Sequence, residues 1–298
     1  MRRSIYYFIC ILLAVGGLAV FLYLYGSSIK AERVVAKGIS TFRAYAGEAE
    51  VAGEGDKSGN LNALLAEMQA YNQIIYENGQ ADLVDPFSYE QAVVNLQSFG
   101  LDTDILGYMN IPKMGVELPI YLGANKANMA KGTSNLGATS LPVGGENTNA
   151  VFAAHRGYSG AAMFRDIELL ESGDQVYITN LWETLVYEVT EIKIIQPTDI
   201  DEVLIRPGKD MITLITCHPY TKNYQRYAVF CERTVYSEAE AADEAGPMLW
   251  NRLADYVWQS ESEQLIMVEQ VVPPLGIIIS VSLLAVIIIK MLQYRKKR

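Results

Sequence analysis

Between residues 4 and 29 the chain carries no charged side chain, and a second uncharged run covers residues 271–289. An α-helix needs about 20 apolar residues to cross a hydrocarbon core roughly 30 Å thick. Both ends of the chain are therefore expected to be transmembrane helices, whatever the residues between them do. The second run opens on Pro273-Pro274, yet it holds Ile277-Ile278-Ile279 and Val286-Ile287-Ile288-Ile289 and can span with little tilt. Arg2 and Arg3 precede the first run, while Lys290, Arg295, Lys296, Lys297 and Arg298 follow the second. By the positive-inside rule both termini are expected in the cytoplasm, with residues 30–270 on the outer side of the cell membrane. A cleaved signal peptide is the rival reading of the first run. Such peptides have an apolar stretch of about 7–15 residues and a small-x-small cleavage site. This run is longer and shows no clear site, so an uncleaved anchor is expected.

Residues 30–270 hold all 34 acidic residues but 17 of the 24 Lys and Arg, a formal charge of −17. Colloidal repulsion and attraction of cationic partners both follow from such a balance. Neither a nucleic-acid partner nor an oligomer is expected. Of three cysteines, Cys10 lies in the first apolar run, which leaves Cys217 and Cys231 outside it. These two lie near facing ends of adjacent candidate strands, but a domain of this size does not need a disulfide staple.

Residues 31–50 have helical composition, and Gly53 to Gly59 reads as a loop. Leu61, Leu64, Leu65, Met68, Tyr71, Ile74 and Ile75 recur at helical spacing, and Asn78-Gly79 is a stop signal. A turn-forming segment, Asp82-Leu83-Val84-Asp85-Pro86-Phe87-Ser88, follows. From residue 105 short β-rich runs alternate with Gly, Pro and Asn, the pattern of a barrel or sandwich rather than a parallel α/β sheet. Strands are expected at 105–111, 116–121, 150–155, 175–179, 184–195, 211–217 and 226–236. Short helices are expected at 161–170 and 199–204, and an amphipathic one at 247–259. The expected organisation is a cytoplasmic tip and anchor (1–29), outer helices (30–104), a β domain (105–237), a helix and linker (238–270), and a second span with a basic tail (271–298).

Cys217 ends the apolar run Thr213-Leu214-Ile215-Thr216-Cys217, and Arg226 stands nine residues later. A thiol near pKa 8.5 becomes a competent nucleophile beside a cation that stabilises the thiolate. His155, at the end of Val151-Phe152-Ala153-Ala154, and Arg226 are the neighbours available. If their strands are adjacent, thiol, imidazole and guanidinium meet at one rim. The imidazolium can then protonate a leaving amine while the Arg fork stabilises an oxyanion. His218 is the competing imidazole, but on an extended backbone it points away from Cys217. Taken singly, each residue has a plainer reading: a buried small hydrophobe, a structural histidine and a solvated charge. A metal site needs three or four ligands, so two histidines without a Cys-x-x-Cys make one unexpected.

Thr213-Leu214-x-Thr216-Cys217, with Arg226 nine residues on and His155 in Ala154-His155-Arg156 upstream, resembles the active-site signature of sortases, cysteine transpeptidases of Gram-positive surfaces. The resemblance covers roughly residues 105–236. It implies a mainly β fold, an eight-stranded sortase-type β-barrel with N-terminal helices and a lid, flanked by two transmembrane helices. It implies Cys217 as nucleophile, His155 as general acid/base and Arg226 as oxyanion and substrate stabiliser, with no cofactor. The second apolar run and the Asp85-Pro86-Phe87 motif are similar to features of class C, pilus-assembling sortases. There Asp85 would pair with Arg226 and Phe87 would cover Cys217 as an autoinhibitory lid. The implied reaction cleaves an LPxTG-like sorting signal at Thr–Gly and joins it to a pilin lysine. A housekeeping sortase using a wall-precursor amine is the alternative, and a surface adhesin or sensor is the non-enzymatic one. Thr221 stands where pilus sortases often have Gly, and Tyr227 where many have Leu. The sorting-signal pocket is expected at the strand ends and the connection 196–210.

Overall fold

The computed structural model describes residues 2–51, 56–81, 83, 93–234 and 261–296. Two units result: Met1–Glu32 with Pro247–Arg298, and Arg33–Gly246.

The first unit holds the start of helix α1 (Arg2–Val51) and the helix α4 (Glu261–Lys296), which contains Pro273 and Pro274 in its interior. Both helices are long and apolar enough to cross a membrane. Large apolar side chains such as Leu13, Tyr23, Ile278 and Ile279 point outward, an inversion that suits a lipid solvent and not water. A methyl added at Gly276 would overlap the ring of Phe21, so the bare glycine lets the two helices meet there.

The second unit is a closed β-barrel with helices laid on it. Its strands are β1 (Ile105–Ile111), β2 (Val116–Leu122), β3 (Thr133–Asn135), β4 (Thr148–Ala153), β5 (Gln175–Thr179), β6 (Thr184–Ile195), β7 (Asp210–His218) and β8 (Gln225–Arg233). They close in the order β1-β2-β3-β4-β7-β8-β6-β5. The pairs β2–β3 and β4–β7 are parallel and the others antiparallel. Closure leaves no open edge, which removes the usual liability of exposed strand amides. At Gly107 β1 passes so close to the Thr179 carbonyl that a Cβ would overlap it, and the β1–β2 register shifts at the same place.

The sequence-based strand bounds hold without change for β1, β5 and β6. Strand β3 is an addition. Its residues Thr133, Ser134 and Asn135 are polar and wholly buried, with Thr133 Oγ1 donating to Ala153 O and Asn135 Nδ2 to Ser140 O. Strand β4 starts two residues earlier than expected because Asn149 satisfies its amide inside the barrel wall. Its Nδ2 donates to Val203 O at 2.9 Å and its Oδ1 accepts from Thr213 Oγ1 at 2.9 Å. The strand ends at Ala153, so His155 lies two residues beyond it. The expected helices at 161–170 and 199–204 are reduced to 3₁₀ turns, Ile167–Leu169 and Ile200–Val203.

Helix α2 (Asp56–Glu77) begins inside the expected loop, so Lys57, Ser58 and Gly59 are helical. It stops where Asn78-Gly79 indicated, with Gly79 at φ +64°. Asn72 and Gln80 then fasten this region to the barrel: Asn72 bonds both N–H and C=O of Leu141, and Gln80 bridges Ala138 O and Ile205 N. From Arg33 onward α1 packs through Phe42 against Ile105 and Tyr121. A short helix α3 (Lys126–Met129) is capped by Asn125, whose side chain accepts from the Ala127 and Asn128 amides. Asp85, Pro86, Phe87 and the helix expected at 247–259 lie outside the described residues.

Candidate active site

Strand β7 is buried from Met211 to Thr216 and opens to solvent at Cys217. Its antiparallel register with β8 sets Cys217 opposite Arg226. Directly opposed residues project from the same face with Cβ atoms about 4.5–5.5 Å apart. Strand β4 runs parallel on the other side of β7, with Ala153 paired to Ile215. The pairing extends one step past the strand: Ala154 N donates to Ile215 O at 3.3 Å, and Thr216 Oγ1 donates to Ala154 O at 2.7 Å. His155 is the next residue. The structure thus brings His155, Cys217 and Arg226 to the same rim, at the ends of three neighbouring strands, although His155 lies 62 residues before Cys217 in the sequence.

The three side chains sit in different settings. Cys217 is partly exposed, whereas Cys231 is buried in the core, where the apolar surroundings push its thiol far above the ordinary range. No disulfide joins them, since Cys231 pairs with Ile212 at the other end of β7. His155 stacks on Tyr158, with ring centroids 4.8 Å apart and planes 15° from parallel. Burial lowers its pKa, so the ring is neutral at neutral pH and can accept a proton. Arg226 is 7 % exposed, and its Nη1 donates to Asn223 O at 3.3 Å and Gln225 O at 3.0 Å. A guanidinium presents its N–H donors in a planar fork that matches a carbonyl oxygen or carboxylate.

The connection between β7 and β8 turns at Pro219, whose carbonyl accepts from the amides of Lys222 and Asn223, both at 3.1 Å. Thr221 has φ +68°, a conformation that favours glycine and is unusual for a β-branched residue. Below the rim, Ile215 and Ala228 lie in an apolar cluster with Ala153, Val203, Phe230 and Leu83. Ile215 and Ala228 share the face of Cys217 and Arg226 by alternation along β7 and β8, and Leu83 packs onto that cluster from outside the barrel.

His218 does point away from Cys217. Its Nδ1 lies 2.7 Å from Arg156 Nη1 and 3.3 Å from Glu168 Oε1, and its ring is 5.5 Å from that of Tyr227. This polar group was not legible in the sequence. The one hint was that Arg156 directly follows His155 and His218 directly follows Cys217.

The chain matches the family description "Sortase domain" over residues 109–234. Sortase C1 of pilus island 1 of group B Streptococcus has a similar structure, at 32% identity, with 68% of this chain and 94% of that one covered and a TM-score of 0.59. The chain belongs to the sortase family. Sortase C from Clostridium perfringens is similar at 35% identity over 66% of this chain and 100% of its own, with a TM-score of 0.54. "Sortase A" of Bacillus anthracis is 29% identical over 164 residues, 54% of this chain and 76% of that protein. Sortases are cysteine transpeptidases, so the enzymatic expectation stands and the adhesin alternative falls away. The eight-stranded barrel is that of the sortase fold. Two helices long and apolar enough to cross a membrane flank the sortase domain in the sequence.

Proposed function

We propose that the chain is a membrane-anchored, pilus-assembling sortase in which Cys217, His155 and Arg226 carry the reaction. The observation behind this reading is the meeting of a partly exposed thiol, an imidazole and a largely buried guanidinium at one rim of a sortase barrel. As Cys217 attacks the Thr carbonyl carbon of an LPxTG-like signal, its proton passes to His155. The resulting oxyanion accepts hydrogen bonds from Arg226. The Thr–Gly C–N bond then breaks, the amine leaves with the proton from His155, and a thioester remains on Cys217. A pilin lysine amine attacks this thioester, gives a proton to His155, and releases the thiol as an isopeptide bond forms.

Pilus assembly is favoured over anchoring to a wall precursor by the similarity to pilus-island sortase C1 and by the second apolar helix. The curated relatives named sortase A keep the housekeeping reading as the alternative. Lysine-bearing pilin and wall-precursor amines, offered in competition, distinguish the two. In this reading residues 105–237 form the catalytic barrel, residues 30–104 hold the outer helices and lid, and residues 238–270 connect to the second span. Both termini are cytoplasmic and the barrel faces outward.

The lid assignment for Asp85, Pro86 and Phe87 draws support from Leu83. That residue, two positions before Asp85, packs on the cluster beneath Cys217 and Arg226. Replacing Asp85 and Phe87 together by Ala is expected to speed alkylation of Cys217 without lowering barrel stability; an unchanged rate counts against autoinhibition. The function itself is tested by intact-mass spectrometry of the full chain in detergent with Asp85 and Phe87 replaced by Ala, incubated with an LPxTG-type peptide beside the same chain carrying Cys217→Ala. The expected result is a mass gain equal to the peptide's acyl fragment, absent from the control.

A further inference from the structure

The ends of β4 and β7 are joined a second time, on the side away from Cys217. Arg156 Nη1 reaches His218 Nδ1 at 2.7 Å, and Arg156 Nη2 meets Glu168 Oε1 at 2.8 Å. The Arg156 side chain is 1% exposed, so its charge depends on these partners. The rings of Tyr220 and Tyr227 lie 6.0 and 5.9 Å from its guanidinium carbon. Glu168 sits in the 3₁₀ turn Ile167–Leu169, which is anchored by the wholly buried Ile167.

We propose that Arg156, Glu168 and His218 form a latch that sets the separation of His155 and Cys217, which makes His218 a positioning residue for acyl transfer. The inference rests on the reading of Cys217 and His155 as the reacting pair. Backbone pairing between β4 and β7 ends at Ala154, and beyond it the chain leaves the sheet for the tight turn that pairs Tyr158 with Ala161. His155 therefore lies just past the last rung of the ladder. The residue after it is tied, side chain to side chain, to the residue after Cys217. Alternation along β7 puts His218 on the opposite face from Cys217, so the latch leaves the substrate side clear.

Arginine only donates, so the Nδ1 of His218 accepts and the ring is the neutral tautomer with its proton on Nε2. The charged and titratable groups that face the ring are Arg156 beyond β4, Glu168 in the 3₁₀ turn and Tyr227 on β8. Protonation would remove the acceptor and set a second cation beside Arg156, offset in part by Glu168. Burial and, secondarily, Arg156 hold the His218 pKa below its ordinary value. The latch thus persists through neutral pH and opens as the medium turns acid.

The test follows Cys217 acylation by an LPxTG-type peptide from pH 5 to 8, by intact mass, in the full chain in detergent, with Asp85 and Phe87 replaced by Ala throughout so that a closed lid does not mask the rate. The chain with His218 in place is compared with His218→Leu and His218→Gln, and thermal unfolding is measured for each. His218→Leu is expected to acylate about ten-fold slower at pH 7.5, as a small misplacement of reacting groups does. His218→Gln keeps an acceptor for Arg156 that does not titrate; it is expected to restore most of the rate and to weaken the acid-side loss. Undiminished rates in folded His218→Leu overturn the latch. If that variant does not fold, an unaltered pH profile in His218→Gln overturns it instead. A chain with His218 in place that acylates at no pH even with Asp85 and Phe87 replaced by Ala overturns the assignment of Cys217, and the latch with it.

Discussion

Cys217 and Cys231 lie on paired strands, yet their surroundings give them opposite chemistry. Native alkylation of the full chain is expected to label Cys217 and spare Cys231, whose thiol is wholly buried and held protonated; peptide mapping before and after denaturation checks this. His155 gives a pH prediction with a definite sign. Burial lowers its pKa, and the neutral ring is the form that accepts the thiol proton. Acylation should therefore fall with acidification around a midpoint on the acid side of 6.5, read from kcat/KM for the peptide. Because the chain has two histidines, ring NMR of His218→Gln leaves one imidazole signal, assignable to His155. Thr221 supplies a stability prediction. At φ +68° it holds a conformation that costs a non-glycine residue about 1–2 kcal/mol. Thr221→Gly is expected to stabilise the domain by about 1 kcal/mol, less the extra backbone entropy of glycine in the unfolded chain, as read by thermal or denaturant unfolding.

Which elements the sequence revealed depended on how each satisfies its polar groups. Strand β6 alternates the buried Leu185, Tyr187 and Val189 with the more exposed Thr184, Glu188 and Thr190, broken only by the buried Val186, so its bounds were plain. Strand β3 has no apolar residue at all, and the side chains of Thr133 and Asn135 find buried partners from elsewhere in the chain. No local pattern announces such a strand. Asn149 concealed the start of β4 for the same reason, and it offers a test. Asn149→Leu leaves Thr213 Oγ1 and Val203 O without their bonds in a buried place, at a cost of about 1–3 kcal/mol for each unsatisfied group. Denaturant unfolding measures that loss. The three proposed active-site residues were legible because cysteine and histidine are scarce here. The Arg156–His218 contact was not, since only the parallel pairing of β4 and β7 brings together residues 62 positions apart.

At the scale of the whole chain, helices whose apolar side chains point outward stand in the same sequence as a barrel whose apolar side chains point inward. The barrel order β4-β7-β8 has a consequence in time. A chain is made from its N-terminus, so the strand that leads to the imidazole is complete while β7 and β8 are still to come, and the guanidinium lies on the last strand of all. No shorter nascent fragment can hold thiol, imidazole and guanidinium together. In the proposed site Cys217 meets His155 through β4 and β7 but gains Arg226 only when β8 docks between β7 and β6, so the full constellation exists only in the closed barrel.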